Sequence, residues 1–491
     1  MAAITLVETS LRDGTQSLWG ATGLDTAMML EIAPVMDRAG FRAIDFTTST
    51  HMGVAVRFTR QDPWERIRLM AAATPNTPLQ FLSTGFRFIA WETAHPDFMA
   101  LAFKTLAKNG IRRFAIADPM NDADAVVACA RMVKLAGGEQ VIAAFCYSVS
   151  PVHDDAHYTS CARRFGACED IDAVYLKDPG GLLNPSRART LLPAIKAAVG
   201  DKPLELHSHC TIGLADLAYF HAPELGVETV QCASGAASDG TSNPPALRVV
   251  ANLRATGHSV DVDDAALAEI ALYFDRLAAA EGLPPGRPQG FDAAYMGHQL
   301  PGGMVTTLRR HLKEARLAHL EDRAVEEMGR VRAELGYPIV MTPFSQIVLA
   351  QAVINLTSPE RYSAAPDEAI RYALGRFGRP NAPIDPNVMD RIRALPRAKQ
   401  IEAEPGPADV TELRRRLGKD LSDEELLLRA TMPAEQVDAM IAAGPAKRRY
   451  EPMSAPTLML VRAAAARRDL AEFKIEKPGF RLAMRKTEGA A

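Results

Sequence analysis

The sequence contains no C-x-x-C pair and only six cysteines in 491 residues, scattered as Cys129, Cys146, Cys161, Cys168, Cys210 and Cys232. That scatter excludes a disulfide framework. With no signal-peptide pattern at the N-terminus, it leads us to expect a reducing, cytoplasmic setting. No apolar run reaches the roughly 20 residues needed to cross a bilayer, so no membrane span is expected. An excess of either charge is missing: the net charge is −3 with 23% charged residues, which leaves no basic footprint for nucleic acid. No repeat recurs at a solenoid period. No Gly-rich dinucleotide fingerprint follows the first strand-like run either. "SLRDGTQS" stands there instead and speaks against a doubly wound sheet.

What is present is a regular alternation over the first 235 residues. Short apolar runs at 4–9, 42–48, 79–84, 113–118, 140–148, 172–178, 204–210 and 229–235 read as buried strands. Helical patterns at 25–39, 63–74, 96–109, 122–136, 185–198 and 213–225 lie between them, several ending at a glycine. Strands buried on both faces and separated by helices are parallel strands. Eight such units predict an α/β chain built on a (β/α)8 TIM barrel. From about residue 260 helical patterns dominate, at 263–281, 305–336, 343–356, 366–375 and 386–394. "GLPPGRPQG" at 282–290 and "GRPNAPIDP" at 378–386 mark joints, and "EPGPAD" at 404–409 reads as a linker. A helical tail is expected at roughly 410–443, and the last ten or so residues should fray. The resulting division is a barrel over 1–290, a helical domain at its mouth over 291–403, and a linker with a short helical tail over 404–491.

In such a barrel, chemistry collects where the strands end. Strand 1 ends at Arg12 and Asp13, strand 6 in "YLKDPGG" with Lys177 and Asp178, and strand 7 reads "LELHSHC". Alternation puts His207 and His209 on one side, about 6–7 Å apart at ~3.3 Å per residue. Two imidazoles and the Asp13 carboxylate suit a divalent metal. Asp13 on its own also reads as a helix cap or a partner of Arg12. Lys177 is the awkward member, since an ammonium has no lone pair to donate. It either stands aside and pairs with Asp178, or is modified to carry an anionic oxygen.

Taken in order, "ETSLRDGTQS", "LKDPGGLLNP", "LELHSHCTIG", "SDGTSNPPAL", "HQLPGGM" and "VMTPFSQIV" resemble the carboxyltransferase component of biotin-dependent enzymes. That family comprises pyruvate carboxylase, the oxaloacetate decarboxylase α-subunit and the transcarboxylase subunit acting on pyruvate. "RFTRQDPWERIR" at 57–68 and "GRPNAPIDP" are further matches, and the likeness covers roughly residues 4–400. It implies a barrel followed by a helical domain, and a metal that is usually Zn²⁺, with Mn²⁺ or Co²⁺ in some members. It implies metal ligands at Asp13, Lys177, His207 and His209, with Lys177 carrying CO2 as a carbamate. It also implies Gln16 on the substrate carbonyl and Thr241 shuttling the proton between biotin and substrate; Arg12 beside them either helps with charge or holds the loop.

The likeness breaks at three places. "FTTSTHMGVAV" at 46–56 replaces the family's Trp-Gly-Gly-Ala-Thr stretch. "LSTGF" replaces the family's Leu-Arg-Gly after strand 3, whose arginine holds the pyruvate carboxylate, so Thr84 stands about where a cation belongs, and that cation is lost unless Arg12 or the nearby Arg87 supplies it. Cys210 occupies the position of an aspartate after the second metal histidine. The acceptor is therefore expected to differ from pyruvate. No biotinyl-lysine stretch (Ala-Met-Lys-Met) and no ATP-grasp-like segment occur, so biotin should arrive on a separate carrier protein loaded by a separate biotin carboxylase. Family members dimerise through the barrel, which makes a homodimer the expectation. Two other readings compete: a metal-dependent aldol or Claisen-type lyase or synthase of the same barrel superfamily, and a non-catalytic scaffold subunit.

Among the remaining candidates, Asp118 either lines the pocket or caps a helix. His51, His95, His153, His157 and His221 are expected on the surface or in loops. "HQLPGG" at 298–303 should dock the helical domain on the barrel mouth, and "RRHLKEAR" at 309–316 reads as a solvated helix face.

Overall fold

The computed structural model describes residues 2–299, 312, 318–452, 460–461, 463–464, 467, 472–477 and 480–485. Eight parallel strands close into a barrel in sequence order. They are β1 (Thr5–Glu8), β2 (Ala43–Thr48), β3 (Leu79–Ser83), β4 (Arg113–Ile116), β5 (Gln140–Cys146), β6 (Ala173–Asp178), β7 (Leu204–Ser208) and β8 (Thr229–Cys232). β8 returns beside β1, with Thr5 opposite Thr229 and Glu8 opposite Cys232. Each of the eight expected runs holds one strand. Every residue of β2, β3, β4, β6, β7 and β8 is buried, because one face packs on helices and the other on the barrel interior.

The helices between strands start where the chain supplies a cap. Asp25, Asp62, Asp122, Asn184 and Asp263 each accept a backbone N–H at the head of Thr26–Arg38, Pro63–Ala73, Ala123–Leu135, Pro185–Val199 and Asp264–Glu281. The helix Asp155–Gly166, capped by Asp154, was not among the expected ones. Its apolar face of Tyr158, Cys161, Ala162 and Phe165 keeps helical spacing but sits among charged and polar residues, so the sequence shows little of it.

The barrel interior has two unlike arcs. Leu82, Ala115, Ile142, Ala144, Cys146, Ala173 and Tyr175 form an apolar arc, which Ile339 from the helical region closes. The other arc is polar. Arg113 on β4 donates to Glu205 on β7, three strands away, a contact that can only cross the interior.

Beyond the barrel, Glu321–Glu334, Phe344–Thr357, Asp367–Ala373, Pro386–Ala394 and Pro396–Glu402 are helices. They share a core that includes Met328, Val331, Leu335, Phe344, Ile347, Tyr372 and Phe377, joined by Met120 from the loop after β4. The expected helix 305–336 is present as Glu321–Glu334; most of 305–317, and most of the 309–316 segment with it, lies outside the described residues. Gln299 accepts from the Ser148 hydroxyl at 3.2 Å and from Val149 N–H at 3.3 Å, and donates to the Val149 carbonyl at 2.6 Å. It thereby ties this region to the loop after β5. Residues 300–303 lie outside the described residues.

The tail helices Val410–Leu417, Asp423–Thr431 and Ala434–Ala443 press Leu413, Leu426, Leu427, Leu428, Met432, Val437 and Met440 into the barrel's own hydrophobic cluster. Trp64 Nε1 donates to the Glu424 carbonyl at 3.2 Å, and Asn109 Nδ2 to the Glu424 carboxylate at 2.9 Å. Of the last ten residues, expected to fray, 486–491 lie outside the described residues, whereas Phe480–Arg485 pairs antiparallel with Glu472–Lys477, an alternating segment overlooked in the sequence. Among the described residues no helix is long and apolar enough to cross a membrane. All six cysteines are buried free thiols.

Candidate metal centre and adjoining cavity

The site begins with a backbone irregularity. Directly after β1 the chain makes a π turn over Ser10–Gly14, which buries Arg12 and Asp13 at the mouth. β6 and β7 pair Lys177 with His207, and His209 follows two residues on. Below His209 the turn "DPGG" depends on Gly181, whose φ is +68° and where a Cβ would lie 2.3 Å from the His209 carbonyl oxygen.

Asp13, Lys177, His207 and His209 converge, each no more than 7% exposed. Lys177 Nζ lies 2.6 Å from Asp13 Oδ2 and 3.0 Å from His207 Nε2. His207 Nε2 lies 3.0 Å and His209 Nε2 3.5 Å from that same oxygen, and the two Nε2 atoms are 3.0 Å apart. Each Nδ1 faces a carbonyl-type acceptor, Gln231 Oε1 at 2.9 Å for His207 and the Thr241 carbonyl at 2.6 Å for His209. Such oxygens only accept, so both protons belong on Nδ1 and both Nε2 lone pairs point into the same small space. Burial and the Lys177 ammonium push His207 down to about 3, which keeps it neutral at neutral pH. Against the upward push of burial, Arg12 and Lys177 hold Asp13 well below its ordinary value. The Lys177 ammonium lies against the carboxylate and one of these lone pairs, and two imidazole nitrogens with a carboxylate are also a donor set that fits a divalent metal. Lys177 does not pair with Asp178. Asp178 instead accepts from Leu182 and Leu183 N–H, both at 2.9 Å, and from Ser208 at 2.8 Å, fixing the loop beside the site.

The four groups belong to a closed ring of buried side chains. Arg12 Nη1 is 3.2 Å from Asp13, while its Nε donates to Asp45 at 2.8 Å and its Nη2 also pairs with Asp45. Gln80 donates to Asp45 at 3.1 Å and accepts from Arg113 Nε at 2.8 Å. Arg113 pairs with Glu205, which accepts from Gln231 at 3.4 Å, and Gln231 accepts from His207. Arg12, Arg113 and Lys177 balance Asp13, Asp45 and Glu205. A second group of possible ligands, Cys210, Asp216 and Asp239, encloses no such space, because Arg248 bridges its two carboxylates. Cys210 keeps its thiol, its pKa raised by burial.

A cavity of about 340 Å³ opens beside the four groups. Arg12, Gln16, Thr84 and Thr241 line it, as the sequence leads one to expect. Arg87 does not, and the expectation that it reaches the substrate is corrected. Its guanidinium donates to the Thr84 carbonyl at 2.6 Å, to Asp118 at 2.7 Å and to the Phe377 carbonyl. Asp118 is thereby a structural partner, and it also receives Asp122 N–H at 2.9 Å. The Thr241 hydroxyl faces the cavity but donates to the Ser17 carbonyl at 2.6 Å.

Sequence reasoning missed the roof, where Val340, Met341, Thr342 and Ser345 of the helical region face the cavity. The segment "VMTPFSQIV" was the available signal. It also missed Thr48, Thr50 and Trp91. His51 and His153 are buried rather than superficial, each with Nε2 lacking a partner among the described residues. Burial, then Arg12 and Arg66, pushes His51 down to about 3.

Comparison with known proteins adds an independent line. The model of the conserved carboxylase domain matches residues 296–468, and the HMGL-like model matches residues 3–273. A pyruvate carboxylase subunit of Methanocaldococcus jannaschii is 36% identical over 391 residues, covering 79% of this chain and 68% of that protein. The 2-oxoglutarate carboxylase large subunit of Hydrogenobacter thermophilus is 29% identical over 459 residues, covering 92% and 70%. The carboxyl transferase domain of Rhizobium etli pyruvate carboxylase shares the fold, with a TM-score of 0.80 at 23% identity over 90% of this chain and 78% of that one.

Proposed function

Because the chain belongs to the family of carboxyltransferase components of biotin-dependent carboxylases, we propose that it moves CO2 between carboxybiotin and a small enolisable acceptor in the cavity beside Asp13. One observation carries the reading: the two Nε2 lone pairs 3.0 Å apart, facing the Asp13 carboxylate. Asp13, Lys177, His207 and His209 would hold the metal, with Zn²⁺ the best match to nitrogen and oxygen donors in a compact site. Bound there, the metal supplies Lewis-acid stabilisation to the oxygen that gains charge as the acceptor loses its proton.

Lys177 serves this scheme as a carbamate. Converting an ammonium to a carbamate changes its charge from +1 to −1, and a divalent ion restores the difference. The buried ring, balanced with a bare lysine and no metal, is balanced again with both. Either change alone would leave uncompensated charge in the barrel interior, which is costly. Metal uptake should therefore depend on CO2.

The remaining residues bind, orient and move a proton. Gln16 reaches for an acceptor oxygen, and Arg12 steadies developing negative charge from the cavity wall. The proton relay falls to a threonine hydroxyl, which donates and accepts without a free ionised state. Thr241 must first release the Ser17 carbonyl to serve. Thr342, on the roof, makes no hydrogen bond among the described residues and is the readier of the two. Biotin comes on a separate carrier protein, charged by a separate biotin carboxylase subunit, and the carboxyltransferase works as a cytoplasmic homodimer. Its division into a barrel over 1–290, a helical domain over 291–403 and a tail over 404–491 follows the same reading.

The test is reconstitution with a ¹⁴C-carboxybiotin-loaded carrier. Metal-dependent loss of label to an acceptor is expected, and metal stoichiometry should rise when bicarbonate is present. A metal-loaded chain that cleaves or condenses acceptors with no carrier present would overturn carboxyl transfer in favour of lyase chemistry.

A further inference from the structure

A second cavity, of about 350 Å³, shares a wall with the first. Thr84 and Trp91, in the loop after β3, line the cavity beside Asp13. Their loop neighbours Ala90, Glu92 and Ala94 line the second one instead. The linker at 405–408 and the tail helices close it from the other side. Its apolar walls are within reach of a ligand: Ala90 and Pro407 are exposed, and Ala94 and Ala430 are half-buried. Two arginines stand in the lining. Arg376 Nη2 donates to the Ile401 and Glu404 carbonyls, both at 2.9 Å, and its guanidinium meets no carboxylate among the described residues. Arg416 is exposed and has no partner among the described residues. Of the two acids in the lining, Glu92 is taken by Arg371 at 3.0 Å, and Glu412 is exposed and screened by water. Apolar walls with two guanidinium groups free of carboxylates suit a small carboxylate on an apolar body.

The shared loop is strained where it passes between the cavities. Ile89 has a φ of +60°, and Ala90 N–H returns to the Phe88 carbonyl at 2.7 Å, which makes the rare, strained form of the γ turn. The Ile89 side chain fits because Gly53 has none: a Cβ there would lie 3.0 Å from Ile89 Cγ2. Gly53 belongs to the helix Ser49–Val54, which also carries Thr50 of the first cavity. Two residues beyond Ile89, Trp91 packs on the core of the helical region. We propose that the second cavity is a regulatory site for a small carboxylate with an apolar body, and that this loop carries its occupancy to Trp91 and the acceptor cavity. A ligand seated against Ala90 and Ala94 bears on the turn directly, and the contacts from there to Trp91 are continuous. The effect on the acceptor rests on the carboxyltransfer reading; the binding does not.

The test adds 4-fluorophenylacetate to the full chain and follows it by ¹⁹F NMR, with the neutral 4-fluorophenylacetamide as control. The acid should bind saturably and at least about tenfold more tightly than the amide, the worth of one charge-assisted hydrogen bond. Arg376→Met should cost the acid about tenfold. Arg416→Met, on the surface and harmless to the fold, should cost about threefold. Tryptophan fluorescence should change on saturation, and the change should vanish in Trp91→Phe with the acid's affinity kept. Acid and amide binding alike, or acid binding that neither arginine variant weakens, would overturn the site. A saturated chain whose fluorescence stays still, or still changes in Trp91→Phe, would overturn the coupling. Failure of label transfer from the carrier, with both readouts intact, would strike the parent reading alone.

Discussion

The two sides of the cavity differ in how firmly they are built. On the metal side every donor is fixed by a partner: His207 by Gln231, His209 by the Thr241 carbonyl, Asp13 by Arg12 and Lys177. Those partners are themselves fixed, around a ring that crosses the barrel. On the acceptor side the wall is a set of hydroxyls from three loops and the helical roof, and its groups depend little on one another. A change on the metal side disturbs a network of buried charge. A change at Thr84 or Thr342 disturbs one contact. Within one fold, this is how the reaction is held constant while the acceptor is free to vary.

The largest expected effect tests the metal side. Lys177→Met removes a donor and leaves the buried ring one charge out of balance, so metal content should fall to background and turnover by about 10³-fold or more. Thr84→Val should keep full metal content. If Lys177→Met retained metal by elemental analysis, the four-ligand scheme would fail. Next comes the relay. Thr342→Val should lower turnover by about 10²-fold with metal content intact, whereas Thr241→Val should cost less because its hydroxyl already serves Ser17. Equal losses would return the role to Thr241. Then comes the support of His207. Gln231→Leu frees its Nδ1 and should weaken metal about 10- to 100-fold in competition with a chelator. An unchanged affinity would mean that the ring does not orient the imidazole.

The same contrast governs how much could be read from the sequence. Strand ends are legible because burial and alternation are local: "LELHSHC" alone puts two imidazoles on one side, and the eight apolar runs each hold a strand. Candidate ligand positions therefore surface early, before any long-range contact is known. The acceptor wall is assembled across long sequence separations. Arg87 reads as an available cation until Asp118 and the Phe377 carbonyl, 290 residues away, are seen to hold it. Thr342 sits in a recognisable motif, yet its role depends on how the helical region closes over the barrel through Ile339. The polar ring was invisible for the same reason. Asp45, Gln80, Arg113 and Glu205 look like solvated residues within strands until the barrel closes around them. His51 and His153 lacked any spacing partner, and spacing says nothing about burial.

The smallest effect on turnover is expected at Glu8, beneath the site at the end of β1. It is fully buried, accepts the Ser10 N–H at 2.9 Å and pairs with the Ser10 hydroxyl. Burial raises its carboxyl from 4.5 to about 8. Between those two values the folded chain keeps a proton that the unfolded chain has released. Stability therefore falls as pH rises through that window and levels off above it. Glu8→Gln is neutral in both states and removes this slope. The variant should gain in Tm on the wild type as pH rises from about 4.5 to about 8, with turnover at neutral pH nearly unchanged. A Tm difference that stays flat across that range would mean that Glu8 is ionised in the fold, and that the polar arc holds a fourth carboxylate with no cation against it.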